Sequence, residues 1–249
     1  MYAHILKNGL TGSHWYKDAS GKHIYNVANH TPDEIHEYAE LSPKDIEKAN
    51  SDLDRLTYDQ WHKIPKYQKE TISDYTLEGY IDVNHYLGRM VNQSDDQRDK
   101  AEEAIEDLDA VTKNMELPAP ALLYRVTKLR NFRNAHPSIY EAVTELAKGN
   151  NTPDNVLKKL SPLKGISFTD PCFGSTSIDK EVAKNFVKSI AQSSIMFEIA
   201  APKGTKGAWL GSRSEMPEES EFILPRGTTY QIIGVKKIND SVVIQVNLT

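Results

Sequence analysis

At 249 residues and a net charge of −5, the chain is long enough for one large domain or two small ones and has no excess of base for neutralising phosphates, which excludes nucleic acid as its main partner. A lone Cys172 forms no internal disulfide, and the eight histidines, all at or before His136, make no pair at ligand spacing beside a carboxylate, so no metal site is expected. Residues 1–8 hold no apolar run of signal-peptide length and no span is long enough to cross a bilayer, so a soluble chain with no membrane partner is expected.

The first half reads as helices. Thr31-Pro32-Asp33-Glu34 combines an N-cap, a proline at the first helical position and an acid at the capping-box position, and predicts a helix start. Ser42-Pro43-Lys44-Asp45 repeats the device, followed by Ile46, Ala49, Leu53 and Leu56 at helical intervals. Packing or partner contact is the expected role of these two helices. Pro65 opens a segment over 67–90 in which Ile72, Tyr75, Tyr80, Asn84 and Leu87 recur at helical spacing, while Gly79 and Gly88 limit its regularity. Tyr75 and Tyr80 read either as core aromatics or as ligand contacts. From Ser94-Asp95, the run Ala101, Ile105, Leu108, Val111 makes an amphipathic helix with an acidic outer face, ending before Leu117-Pro118-Ala119-Pro120.

Beyond Pro120 the texture changes to β-rich runs over 122–127, 165–169, 194–200, 222–224, 230–235 and 242–246, interrupted by helices after Pro137 and after Asp179. Helices first and strands later, with short connections, predict an α+β fold with a largely antiparallel sheet system. Arg125 stands alone in an apolar strand and needs an anion, either a structural carboxylate or a phosphate. Ser175-Thr176-Ser177 sets three hydroxyls in a row before a helix carrying Phe186; N-capping by Ser177 or Asp179 explains one of them. With no histidine downstream, a Ser-His-Asp hydrolase is excluded. The stretch 216–227 then packs Glu218, Glu219, Ser220 and Glu221 into a turn running into Phe222-Ile223-Leu224. Strand alternation places Glu219 and Glu221 on one face with Ser220, Phe222 and Leu224 on the other. This stretch reads as a solvated acidic loop or as a carboxylate pair suited to chemistry in which positive charge develops, such as glycosidic cleavage.

In this order, Tyr124-Arg125, Ser175-Thr176-Ser177 and Glu219-Ser220-Glu221 resemble the Arg, Ser-Thr-Ser, Glu-x-Glu pattern of arginine-directed mono-ADP-ribosyltransferases, a group that includes the enzymatic components of clostridial binary toxins and bacteriophage and effector enzymes. Asp74-Tyr75-Thr76, Tyr80, Asn84 and Leu87 resemble the helix upstream of the Arg strand in those toxins, so the likeness covers roughly residues 65 to 235. The resemblance implies a split β-sandwich of two roughly perpendicular sheets with NAD in the cleft, and a division into an N-terminal helical extension (1–64) and a catalytic domain (65–249). It implies that Arg125 holds an NAD phosphate and that Ser175 orients Glu221, with Thr176 and Ser177 supporting the strand. Phe186 would pack near the nicotinamide, while Tyr75, Tyr80 and Asn84 line the phosphate and ribose side. Glu221 would be the catalytic carboxylate and Glu219 would receive an arginine acceptor; relatives that modify asparagine carry Gln there.

This chain departs from the pattern at Val126, where many relatives have Gly, and at Lys188-Ser189, where binary toxins carry a second Arg. The turn 212–218, which reads the target protein in the family, has no aromatic residue. The implied function is transfer of ADP-ribose from NAD to an arginine of a target protein in the cytoplasm of a target or host cell, with the N-terminal helices available to a carrier or particle. An NAD glycohydrolase and an inactive binding module on the same fold are the alternatives.

Overall fold

The computed structural model describes residues 16–17, 37–38, 43–88, 93–128, 137, 139–141, 144, 152–183, 185, 194–238 and 241–249. Helix α1 (Pro43–Leu56) starts on a proline whose fixed φ suits the first turn, carries Asp45 near its N-terminus and Arg55 near its C-terminus, and buries Ala49 and Leu53. Leu56, expected on the same stripe, lies at the surface instead. After the short α2 (Tyr58–His62), helix α3 (Lys66–Asp74) passes through a π turn (Tyr75–Gly79) into α4 (Tyr80–Leu87). The π turn ends at Gly79, where a Cβ would lie 3.0 Å from the Asp74 carbonyl oxygen. The 20-residue α5 (Asp95–Asn114) begins in a capping box between Ser94 and Gln97 and buries Ala101, Ile105, Leu108 and Val111 as its periodicity requires.

The helix start expected at 31–34 lies outside the described residues; nearby, β2 (Glu37–Tyr38) pairs antiparallel with β1 (Tyr16–Lys17). Of the helices after Pro137 and Asp179, only scattered turns fall within the described residues. Helix α6 (Pro153–Leu160) was not foreseen, although Thr152-Pro153-Asp154 repeats the start signal read at the first two helices. The Thr152 side chain accepts from Asn155 N at 3.3 Å.

The remaining strands are β3 (Ala121–Lys128), β4 (Ser167–Thr169), β5 (Gly174–Ser177), β6 (Ser194–Ala201), β7 (Ala208–Trp209), β8 (Glu221–Leu224), β9 (Thr229–Ile238) and β10 (Ser241–Leu248). They form one hydrogen-bonded order, β4-β9-β10-β6-β3-β5-β8-β7. Every pair is antiparallel except β10 with β6. The expected two sheets therefore meet in a single run of eight strands. The joint between β3 and β5 rests on one register pair, Tyr124 with Ser177, whereas β3 and β6 share eight.

Two apolar clusters lie on either side of the β5–β8 region. One contains Phe222 and Leu224 together with β3, β6, β10 and, from α1, Ala49 and Leu53. The other contains Ile223 with Ile72, Tyr75, Val83, Ile105, Leu108 and Phe173, and so forms a helical layer over the opposite face. Strand β8 is accordingly buried on both faces. Because α1 shares a core cluster with the sheet, the expected boundary at residue 64 runs through common packing.

Candidate active site

The β5–β8 ladder pairs Ser177 with Glu221 and Ser175 with Ile223, so Ser175 lies diagonally across from Glu221 on one face. Ser175 Oγ donates to Glu221 Oε1 at 2.5 Å. This is the face that carries Ile223 into the helical cluster, and it looks toward Tyr75. Glu221 is 4% exposed, and its Oε2 is buried without a hydrogen-bond partner. Burial pushes the Glu221 carboxyl up to about 7; the Ser175 hydrogen bond opposes this and the charge of Glu219 adds to it.

Glu219 is not on the strand. Residues Pro217–Glu219 form a 3-10 turn, Ser220 follows in the left-handed region (φ 49, ψ 50), and β8 begins at Glu221. Strand alternation therefore does not relate the two carboxylates; a tight turn ending in a left-handed serine connects them. They remain electrostatic neighbours, and the Glu219 carboxyl is itself raised, by burial first and then by Glu218. Each carbonyl of the triplet is held. Ser177 Oγ donates to Glu219 O at 2.6 Å, Ile178 N to Ser220 O at 3.3 Å and Leu210 N to Glu221 O at 3.0 Å. Thr176 Oγ1 donates to Phe222 O at 2.6 Å. Ser177 Oγ also accepts from Asp179 N at 2.9 Å, so one hydroxyl both braces the carboxylate turn and caps the backbone just beyond β5.

Tyr75 is buried, receives a 3.3 Å hydrogen bond from Asn84 Nδ2, and meets Tyr80 and Phe173 edge-on with ring centroids 6.5 and 6.1 Å apart. Its hydroxyl is pushed far above the ordinary tyrosine range by burial, with Glu221 adding to the effect and Arg125 opposing it. Tyr80 is 46% exposed, so the π turn separates a buried ring from an exposed one. Phe186 and Lys188 lie outside the described residues.

Residues 52–249 match the family model described as ADP-ribosyltransferase exoenzyme. The chain belongs to the ADP-ribosyltransferase exoenzyme family. Over 68 residues, 26% of this chain, it is 41% identical to the NAD(+)–arginine ADP-ribosyltransferase EFV of Enterococcus faecalis, and that stretch spans 14% of the relative's length. Among solved structures it is similar to Plx2a, an ADP-ribosyltransferase toxin from Paenibacillus larvae, with TM-score 0.66 and 23% identity over 82% of this chain and 96% of that one. It is also similar to C3stau2 from S. aureus, solved with NAD, with TM-score 0.64 and 19% identity over 84% of this chain and 96% of that one. Vis from Vibrio splendidus, solved with agmatine, gives TM-score 0.58 and 20% identity over 84% of this chain and 87% of that one. At these identities the structural likeness is one of fold.

In this chain Arg125 is 6% exposed and meets Asp170 in an ion pair of 2.6 Å, donates to Tyr230 Oη at 3.1 Å and reaches the Phe173 carbonyl at 3.4 Å. Of the two partners that the sequence left open for Arg125, the structure supplies the carboxylate. Gly174 leaves room for this guanidinium, since a Cβ there would stand 3.0 Å from Arg125 Nη1. Asp170 and Tyr230 were missed by sequence reasoning. The signal available for Asp170 was the need of an isolated buried cation for an anion, but nothing in the spacing told which acid supplies it. Cys172 lies beside them, its thiol pushed up to about 12 by burial and then by Asp170, which leaves it a poor nucleophile. Among the described residues, no cluster of three His, Cys, Asp or Glu side chains could hold a metal, and no helix is long and apolar enough to cross a membrane.

Proposed function

We propose that this exoenzyme cleaves NAD between ribose and nicotinamide and transfers the ADP-ribose to an arginine side chain of a target protein. The observation that carries the reading is the buried Glu221, with one oxygen fixed by Ser175 and the other unpartnered. An unpaired buried carboxylate oxygen is costly, and a ribose hydroxyl supplies the missing donor. The same negative charge then stabilises the cation that develops as nicotinamide leaves, in a site where low polarity strengthens it. Glu219, half-buried on the neighbouring turn, orients a guanidinium and takes its proton as the nitrogen bonds the ribose carbon. Ser175 positions Glu221, and Thr176 and Ser177 hold the backbone that presents both acids. Tyr75, Tyr80 and Asn84 line the helical side of the cleft. The agmatine bound to Vis and the name of the EFV relative support an arginine-like acceptor.

Arg125 in this reading organises the floor of the cleft through Asp170 and Tyr230, and a phosphate contact adds to that ion pair. The target is a protein inside an attacked or host cell. Incubating the protein with labelled NAD and a cell lysate, then locating the label by mass spectrometry, tests the proposal. Labelled arginine is expected. Nicotinamide release with no labelled protein would make water the acceptor, and absence of any NAD turnover would make the fold a binding module.

A further inference from the structure

Ser220 is the single non-glycine residue with positive φ among the described residues, and it sits between the two acids of the proposed mechanism. An L-residue avoids this conformation unless its surroundings impose it. A glycine would adopt it freely, yet the position holds a serine that is 2% exposed. What its hydroxyl meets comes from 170 residues away: Asn50 Nδ2, on α1, donates to Ser220 Oγ at 2.8 Å.

Helix α1 reaches the carboxylate turn through more than this bond. Asn50, Asp54 and Thr57 follow one another at intervals of four and three, which aligns them on one stripe. Asp54 Oδ1 accepts from Trp209 Nε1 at 2.8 Å, and its carbonyl accepts from Arg213 Nη2 at 2.5 Å. Thr57 Oγ1 accepts from Arg213 Nη1 at 3.0 Å. The approach is close enough that a Cβ at Gly211 (φ +50) would fall 2.3 Å from Asp54 Oδ1. The stripe thus grips the segment leading into the turn, and Asn50 grips the turn itself.

We propose that Asn50 is a positioning residue for Glu219: by holding Ser220 left-handed it sets the direction in which the acceptor carboxylate leaves the turn. The role given to Glu219 is that of the proposed function, on which this inference rests. Glu221 depends on Asn50 far less, because it is fixed within the β5–β8 ladder and by Ser175. Asn50 also precedes residues 52–249, the part of the chain that the family model covers.

The test compares full-length wild type, Asn50→Ala, Ser220→Ala and the double variant, measuring transfer of ADP-ribose to agmatine and release of nicotinamide without acceptor. Asn50→Ala is expected to lower transfer by about tenfold or more while changing nicotinamide release by less than about twofold. Ser220→Ala removes the same bond from the other side, leaving α1 intact, and the double variant should lose no more than either single one. Additive losses, or transfer and release falling together, would overturn the proposal. Amide hydrogen exchange at 217–221 reads the clamp without relying on activity: faster exchange there in Asn50→Ala, with β8 beyond Glu221 unchanged, is expected, and unaltered exchange would sink it. An inert wild type would instead remove the proposed role of Glu219, while the exchange result would still decide whether Asn50 holds the turn.

Discussion

Glu221 carries a cost that the role proposed for it explains. Its carboxyl titrates near 7 in the folded protein against an ordinary value of 4.5, so between these values the folded chain holds a proton that the unfolded chain has released. Folding takes up a proton in that window, and stability falls as pH rises through it. Glu221→Gln should reduce this slope and leave the protein more stable than wild type at pH 8 by on the order of 1–3 kcal/mol, read from urea unfolding at a series of pH values. The ionised form is the one that stabilises a developing cation, so kcat/KM for nicotinamide release should rise through an apparent pKa near 7, and a flat profile from pH 5 to 9 would remove the assigned role. A second residue-scale expectation concerns Asp170. Asp170→Ala leaves a 6%-exposed guanidinium without its counter-charge and should destabilise the fold by about 3–5 kcal/mol, measured by thermal or denaturant unfolding. The residue types and order of Arg125, Ser175 and Glu221 were legible in the sequence because each is chemically conspicuous where it stands. Asp170 was not, because an acid before a proline in a loop looks like any solvated turn until the fold brings a buried arginine onto it.

At the scale of elements, the amphipathic stripe of α5 could be read from its helical periodicity, and the long strands β3, β6, β9 and β10 from their β-rich runs between turn residues. The short β7 left none, and β5 showed only as a strand end before its hydroxyls. The carboxylate turn was misread for a different reason. Alternation assumes extended backbone at every position, and Ser220 breaks the rule through a left-handed conformation held by tertiary contacts rather than by its own preference. The π turn was signalled only as Gly79, a residue that limits helical regularity without saying how. Gly174 belongs to this scale as well, because β5 can pass Arg125 only without a side chain at that point. Gly174→Ala brings a Cβ to 3.0 Å from Arg125 Nη1, 3.2 Å from Leu224 Cβ and 3.3 Å from Tyr230 Oη. It should cost about 1–3 kcal/mol in unfolding experiments.

Across the whole molecule, the helical layer and the sheet close on β8 from opposite sides, and the acids sit where the two cores meet. The change from helical to β texture at Pro120 was plain in the sequence, but the place of α1 was not: its polar stripe of Asn50, Asp54 and Thr57 looks like a solvated face until the turn it grips is in view. Leu53 is fully buried in the sheet's own cluster, so deleting residues 1–64 should yield a chain that fails to fold, and Leu53→Ala in the full chain should cost about 2–5 kcal/mol. A truncated 65–249 that kept a cooperative melt would instead support the boundary expected from sequence.

The division of labour between the two acids is tested most directly by following nicotinamide release and arginine labelling side by side in wild type, Glu219→Gln and Glu221→Gln. The account predicts that Glu219→Gln still releases nicotinamide but labels no arginine, and that Glu221→Gln loses both by a hundredfold or more, on the order of 10²–10³. Arginine labelling undiminished in Glu219→Gln, or NAD cleavage undiminished in Glu221→Gln, would contradict it.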